Sequence, residues 1–131
     1  MRVPDVLQRP MQTKRRLAEL DIRIAVREER MLPSGISYDG TRVQGTKGDR
    51  MSIFAGDIEA LLNERNALEH LYKAQLEDAE RAISSLPYSN ERQVLQRRYL
   101  KGEAYEKIAE EMNYSIDRIY QLRRKALKRL Q

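Results

Sequence analysis

The sequence contains no cysteine and no tryptophan, and it has a single histidine. The absence of cysteine excludes disulfides and thiolate metal sites. No nucleophile stands beside a base in a catalytic motif, so we expect no enzyme activity, no metal and no cofactor. No apolar run approaches the roughly 20 residues that cross a bilayer, and the first ten residues lack the apolar core of a signal peptide. These absences predict a soluble, cytoplasmic protein.

The positive charge is concentrated near the C-terminal end. Residues 1–86 carry 14 Lys and Arg and 14 Asp and Glu, whereas residues 87–131 carry 11 and 6. The net charge of +5 therefore belongs to the second segment. Basic side chains gain affinity for nucleic acids by releasing counterions from phosphates. This distribution favours a DNA-facing surface in residues 87–131.

A first helix is predicted from about residue 10 to residue 31. Residues 1–9 form a loose arm, because prolines at 4 and 10 interrupt regular structure. Pro10 suits the first position of a helix, where its missing N–H would be unpaired anyway. The apolar residues Leu17, Leu20 and Ile24 then recur at helical spacing and form one stripe.

A loop is predicted over residues 32–51, with a short extended piece at 36–38. A second, longer helix follows from Ser52 to Ser85, and its apolar stripe needs a covering partner. Residues 1–86 are therefore predicted to form an antiparallel helical hairpin with coiled-coil-like packing, for self-association or partner contact. The alternative is that both helices pack on the C-terminal domain.

Residues 87–131 are predicted to form three helices. A cap at Ser89 or Asn90, with Gln93 completing a capping box, opens the third helix, and Gly102 follows its end in the left-handed conformation. A fourth helix covers about 104–112. Asn113 then occupies a tight turn, and Ser115 caps the fifth helix. This spacing is typical of a helix-turn-helix, whose second helix reads the major groove of DNA.

The two faces of the fifth helix have different predicted roles. A small core is expected from apolar residues of the last three helices: Val94, Leu95, Tyr99, Ile108, Ala109, Met112, Ile119, Leu122, Ala126, Leu127 and Leu130. The candidate DNA-binding residues are the cap and the exposed front: Ser115, Ile116, Asp117, Arg118, Tyr120, Gln121, Arg124 and Lys128. Arginine suits guanine, glutamine suits adenine, and aspartate suits the cytosine amino group. Ser115 can hold a phosphate at the helix N-terminus.

The segment from Ser115 to Leu130, preceded by Val94-Leu95, Arg98-Tyr99 and Ile108-Ala109, resembles region 4 of sigma-70-type factors. That resemblance implies binding to a −35 promoter element, with contacts at the positions of Ser115, Asp117, Arg118 and Gln121. Ile116 and Asp117 depart from the basic residue and the glutamate usual in that family. The whole chain is similar to phage late transcription regulators of the ArpU and RinA kind. Residues 1–86 leave no room for region 2, so a complete sigma factor is not expected.

The sequence thus predicts an all-α protein with an N-terminal helical hairpin, residues 1–86, and a C-terminal helix-turn-helix domain, residues 87–131. The predicted function is a phage-type transcription regulator in the host bacterial cytoplasm. Its expected partner is double-stranded DNA, bound as a homodimer or together with RNA polymerase. Two alternatives stay open at this point: a DNA-packaging component similar to a small terminase subunit, and a coiled-coil adaptor for an acidic protein.

Overall fold

The computed structural model describes residues 2–30 and 44–131, with side chains for residues 2–30 and 55–131. Its helices are α1 (Asp5–Arg30), α2 (Gln44–Ser84), α3 (Ser89–Leu95), α4 (Tyr105–Met112) and α5 (Ile116–Leu130). A π-helical turn, Gln96–Leu100, continues α3. The predicted all-α fold is confirmed. None of the helices in these two ranges is both long enough and apolar enough to span a membrane.

The chain divides into two compact units. One unit combines Met1–Thr13 with Tyr72–Gln131, and the other is Lys14–Leu71. The predicted boundary between residues 86 and 87 does not coincide with this division, because the first turns of α1 and the last turns of α2 belong to the unit that contains α3, α4 and α5.

In the unit Lys14–Leu71, α1 and α2 form a helical hairpin. The Nε atom of Arg65 donates to Asp21 at 2.5 Å, and Nη1 of Arg27 donates to Asp57 at 3.0 Å. Residue numbers rise along α1 while those of their partners fall along α2, so the two helices are antiparallel. Leu20 is 3 % exposed, as expected for the inner stripe of α1. Coiled-coil packing of the two helices stays a prediction.

The other unit has a core to which four helical segments contribute. Its buried residues come from the start of α1, the end of α2, the connection that follows α2, the third helix with its π-helical turn, and the second half of α5: Leu7, Ala79, Ile83, Leu86, Leu95, Tyr99, Ala126 and Leu127. Val3, Val6, Met11, Leu100 and Leu130 pack around this group. The helix-turn-helix is therefore built onto a base that residues far away in the sequence help to form.

The prediction of a loose arm before Pro10 is wrong. The backbone N–H groups of Leu7 and Gln8 donate to the carbonyl of Pro4 at 3.0 and 3.1 Å, and α1 begins at Asp5. Pro10 lies inside the helix, where it removes one hydrogen bond. Burial of Leu7, which has no exposed surface, offsets this cost by holding the first two turns on the core.

The prediction of a loop over residues 32–51 is wrong at its C-terminal end, because α2 already begins at Gln44. Gly45 and Gly48 are therefore helical, although glycine weakens a helix by roughly 1 kcal/mol. Extension of an existing helix needs no new nucleus, which explains how these turns tolerate glycine. The rest of the predicted loop, including the extended piece at 36–38, lies outside the described residues.

The third helix begins two residues earlier than the predicted capping box from Asn90 requires. Tyr88 is the N-cap and contributes no side-chain cap, so Asn90 already lies in the first turn. The Nε2 atom of Gln93 donates to Ser89 Oγ at 3.3 Å instead of reaching back to Asn90. Gly102 has φ 71°, so its predicted left-handed conformation is confirmed.

Candidate DNA-binding surface

Helices α4 and α5 pack through a small apolar cluster. The cluster consists of buried residues from α3, α4 and α5: Val94, Ile108, Ala109, Ile119 and Leu122. Ala109 supplies the small side chain that lets the helices approach closely, and Tyr105 and Met112 pack at the cluster's edge. The predicted core is confirmed at these positions. It fixes the orientation of α5 relative to α4, which determines what α5 presents to solvent.

The turn between the two helices has the predicted conformation. Asn113 adopts φ 59° and ψ 38°, the left-handed region that asparagine tolerates well. The backbone N–H of Tyr114 donates to the carbonyl of Ala109 at 3.0 Å, which closes the end of α4. Ser115 then caps α5, and its Oγ accepts from the backbone N–H of Arg118 at 3.1 Å. Turn and cap together set where α5 begins.

The exposed front of α5 carries the predicted polar side chains. Asp117, Gln121, Arg124 and Lys128 are exposed and lie at steps of four, three and four residues, hence on one face of the helix. Ser115 and Tyr120 are also exposed, and Arg118 is half-buried. Acidic and basic groups near the N-terminal end of α5 are followed by cations alone toward its C-terminal end. Contact of these side chains with DNA stays a prediction.

Ile116 is less exposed than its predicted place on this front implies, and its predicted contact with DNA stays a prediction. The side chain is half-buried and packs against the cluster between α4 and α5. The reason is its spacing, since Ile116 lies three residues before the fully buried Ile119 and so shares its face. Its packing helps to hold the N-terminal end of α5 against the cluster.

Two of the predicted site residues contact each other. The Nη1 atom of Arg118 donates to Oε1 of Gln121 at 2.7 Å. The three-residue spacing places both on one side of α5, where such a bond forms without distortion. The protein therefore presents them as a pair.

Sequence reasoning missed a group of stacked aromatic and cationic side chains beside the front. The ring centroids of Tyr105 and Tyr120 are 4.9 Å apart. The guanidinium carbon of Arg98 lies 4.4 Å from the Tyr105 centroid, and that of Arg123 lies 6.0 Å from it. Tyr120 is therefore held in place by its contact with Tyr105 of α4. The other members of the group, Arg98, Tyr105 and Arg123, are spread over 26 residues, which is why the sequence gave no signal that they come together.

Tyr99 connects this group to the core. Its side chain is 7 % exposed, and its phenol oxygen accepts from Nε of Arg123 at 2.9 Å. Burial raises the pKa of the Tyr99 phenol above its ordinary value, and the nearby Arg123 opposes that rise. The phenol thus stays neutral at physiological pH and orients the Arg123 guanidinium.

Carboxylates neutralise some cations of this unit but not those of the front. Arg97 binds both Glu103, at 3.3 Å, and Glu111. In the described ranges, no carboxylate oxygen lies within 4.0 Å of the basic residues of the front: Arg118, Arg124 and Lys128. The basic residues of the front therefore remain available for phosphates, although Asp117 lies on the same surface.

Metal-ligating side chains do not gather in this unit. Among residues 2–30 and 55–131, no group of three or more His, Asp or Glu side chains is placed to hold a metal ion. All buried side-chain nitrogen and oxygen atoms in those ranges have a hydrogen-bond partner.

A packed helix pair, a left-handed turn and a capped final helix with an exposed cationic front define a DNA-binding helix-turn-helix. Residues 82–131 match the family model of sigma-70, region 4. The C-terminal part of the chain is therefore similar to region 4, and the match indicates a DNA-binding helix-turn-helix. The match begins within α2, in agreement with the place of Ile83 and Leu86 in the same core. No curated protein and no solved structure gives a match to the chain.

Proposed function

We propose that the protein is a phage-type transcription regulator that binds double-stranded DNA in a sequence-specific manner. In this proposal α5 is the recognition helix, and the protein acts by binding, with no catalytic step, in the cytoplasm of a host bacterium. The observation that carries the proposal is the front of α5, where cations without carboxylate partners stand beside Asp117 and Gln121. Such a mixture of charged and amide groups suits both phosphates and base edges.

The assignment to the phage type has separate support. In the sequence, a long helical region precedes a region 4-type domain, an arrangement similar to that of phage late regulators. In the structure, that region is a hairpin whose two ends contribute to the core of the DNA-binding unit.

One recognition helix contacts only a few base pairs, which is too few for strong specificity. We therefore propose that the protein binds DNA as a homodimer or together with RNA polymerase. The hairpin exposes apolar side chains that a partner could cover. Ile22 is 65 % exposed, and Val26, one turn further along α1, is 42 % exposed. Leu62 on α2 is also 42 % exposed.

Binding to a labelled duplex, followed by fluorescence anisotropy over a range of salt concentrations, tests the proposal. We expect affinity to fall steeply with salt, because each phosphate contact releases counterions. A selected duplex should be bound at least about a thousandfold more tightly than a scrambled one of equal length. Absence of salt-dependent binding to any duplex would favour the adaptor that binds an acidic protein.

The mass of the protein in solution distinguishes the regulator from the packaging component. Sedimentation should give a monomer or a dimer if the hairpin serves a regulator that binds two half-sites. A closed ring of about eight or more subunits would instead support the small terminase-like function, in which the hairpin drives ring assembly. The measurement needs only the purified full chain.

A further inference from the structure

The bond between Arg118 and Gln121 limits what Gln121 can recognise. A guanidinium has N–H donors and no acceptor, so the amide atom that faces it at 2.7 Å must be the oxygen. The orientation of the Gln121 amide is therefore fixed by chemistry. Its nitrogen keeps two N–H donors for another partner, whereas its oxygen already accepts a charged donor.

This orientation disfavours adenine. Bidentate binding of adenine by glutamine requires the amide nitrogen to donate to N7 and the amide oxygen to accept from the N6 amino group. The oxygen of Gln121 has a second lone pair, but an amino group placed there would approach the positive charge of Arg118. Guanine presents two acceptors, N7 and O6, on the same edge. Both can accept from the donors that the pair presents.

We infer that Arg118 and Gln121 act as one donor-presenting unit that selects guanine in the major groove. The inference rests on the proposed function, to which it adds the identity of one base. It differs from the expectation drawn from residue types alone, in which Gln121 reads adenine independently. Gln121 becomes a specificity-determining residue through the partner that occupies its oxygen.

The surroundings of the pair favour its persistence in a groove. The backbone N–H of Arg118 is held by the Ser115 cap, which fixes the start of its side chain. Arg118 is half-buried, and no carboxylate in the described ranges competes for its guanidinium. When DNA displaces water from the front, a hydrogen bond between a cation and an amide gains strength. The pair should thus be retained in the complex.

The test begins with selection of duplexes from a random pool by the full-length protein. The position of interest is the base pair whose preferred base differs between the unaltered protein and Arg118→Ala. We expect the unaltered protein to select guanine at that position. Replacing that guanine with 7-deazaguanine removes the N7 acceptor but keeps the pair with cytosine. Affinity should fall about tenfold, whereas the same replacement at a guanine outside the contacted positions should have little effect.

The variant Arg118→Ala makes the sharper prediction. Loss of the guanidinium releases the Gln121 oxygen, so the preference at that position should change from guanine to adenine. The matched control is Arg124→Ala, which removes another arginine from the same front. It should weaken binding to all duplexes without changing the preferred base. Circular dichroism of both variants establishes that the helices are intact.

Three outcomes would overturn the inference. An adenine selected by the unaltered protein at the Arg118-dependent position is one, and a guanine preference that survives Arg118→Ala is another. Salt-dependent binding without any base preference at that position is the third, and it would leave DNA binding itself in place. Failure to bind any duplex would overturn the proposed function together with the inference, so the two failures can be told apart.

Discussion

Glu91 shows how a single residue holds the DNA-binding unit together. Its side chain is 2 % exposed, and Nε of Arg129 donates to its two oxygens at 3.0 and 3.4 Å. The guanidinium of Arg129 also lies 4.7 Å from the ring centroid of Tyr88. This arrangement joins the start of α3 to the end of α5. A buried carboxylate that loses its cation is costly, so the pair matters more than an exposed one.

Arg129→Ala should therefore lower the free energy of unfolding by about 2 kcal/mol. This loss is smaller than that expected for a fully buried ion pair, because Arg129 is partly exposed to solvent. Chemical denaturation monitored by circular dichroism measures this change. Arg124→Ala, which removes a cation with no carboxylate within 4.0 Å in the described ranges, is the control and should change stability little. Equal losses in the two variants would contradict the role assigned to Glu91.

Two glycines should respond to the same substitution with opposite signs. Gly102 has φ 71°, and an added Cβ would meet no atom within 4 Å, so the cost of Gly102→Ala is conformational alone. We expect a loss of about 1 kcal/mol. Gly56 lies in α2, where an added Cβ also meets nothing within 4 Å. Gly56→Ala should stabilise the protein by about 0.5–1 kcal/mol.

Thermal unfolding of the two glycine variants, compared with the unaltered protein, measures the signs. The comparison is well matched because neither methyl group meets a neighbour. A stabilising effect of alanine at Gly102 would show that the end of the third helix is not held in the left-handed conformation. A destabilising effect at Gly56 would show that α2 is not a regular helix at that point.

At the scale of elements, local signals predicted the last two helices well. Asn113 and Ser115 carry strong local preferences, for the left-handed turn and for the helix cap, and both take the predicted conformation. The start of α1 could not be predicted in this way. Its first turns are stabilised by burial of Leu7 against residues more than 70 positions away, and this overrides the local signal of Pro10.

The partners of two polar residues within the apolar stripe of α2 could not be predicted from the sequence either. Arg65 and Gln75 interrupt the apolar pattern, and neither pattern nor propensity indicates their partners. In the structure Arg65 binds Asp21, and Gln75 accepts from the hydroxyl of Thr13 at 2.6 Å. These bonds between α1 and α2 set the register of the two helices. A sequence pattern fixes the face of a helix but not which residue lies opposite.

The packing of the hairpin predicts that two nearby apolar residues of α1 differ in their contribution to stability. Leu20 is 3 % exposed and Ile22 is 65 % exposed. Leu20→Ala should destabilise the hairpin by about 2–5 kcal/mol because it leaves a cavity, whereas Ile22→Ala should cost far less. Denaturant titration of both variants measures the difference. The assigned inner face of α1 is incorrect if the two variants unfold at the same denaturant concentration.

At the scale of the whole molecule, the two parts of the sequence differ in charge. The net positive charge belongs to residues 87–131. In the described ranges, the cations on the front of α5 have no carboxylate partner within 4.0 Å. The hairpin carries a balanced charge and contributes its ends to the core beneath the helix-turn-helix. The proposed function uses this distribution: the front of α5 is proposed to bind DNA, and the hairpin is proposed to serve association.

The central claim is that the front of α5 contacts DNA phosphates, and the salt dependence of binding tests it most directly. The double variant Arg124→Gln, Lys128→Gln should reduce the slope of log affinity against log salt by about 1.8, since each lost phosphate contact contributes roughly 0.9. The control Lys73→Gln, Arg81→Gln removes the same charge from α2 and should leave the slope unchanged. A slope that falls equally in both variants, or in neither, would contradict the claim that this front is the DNA-binding surface.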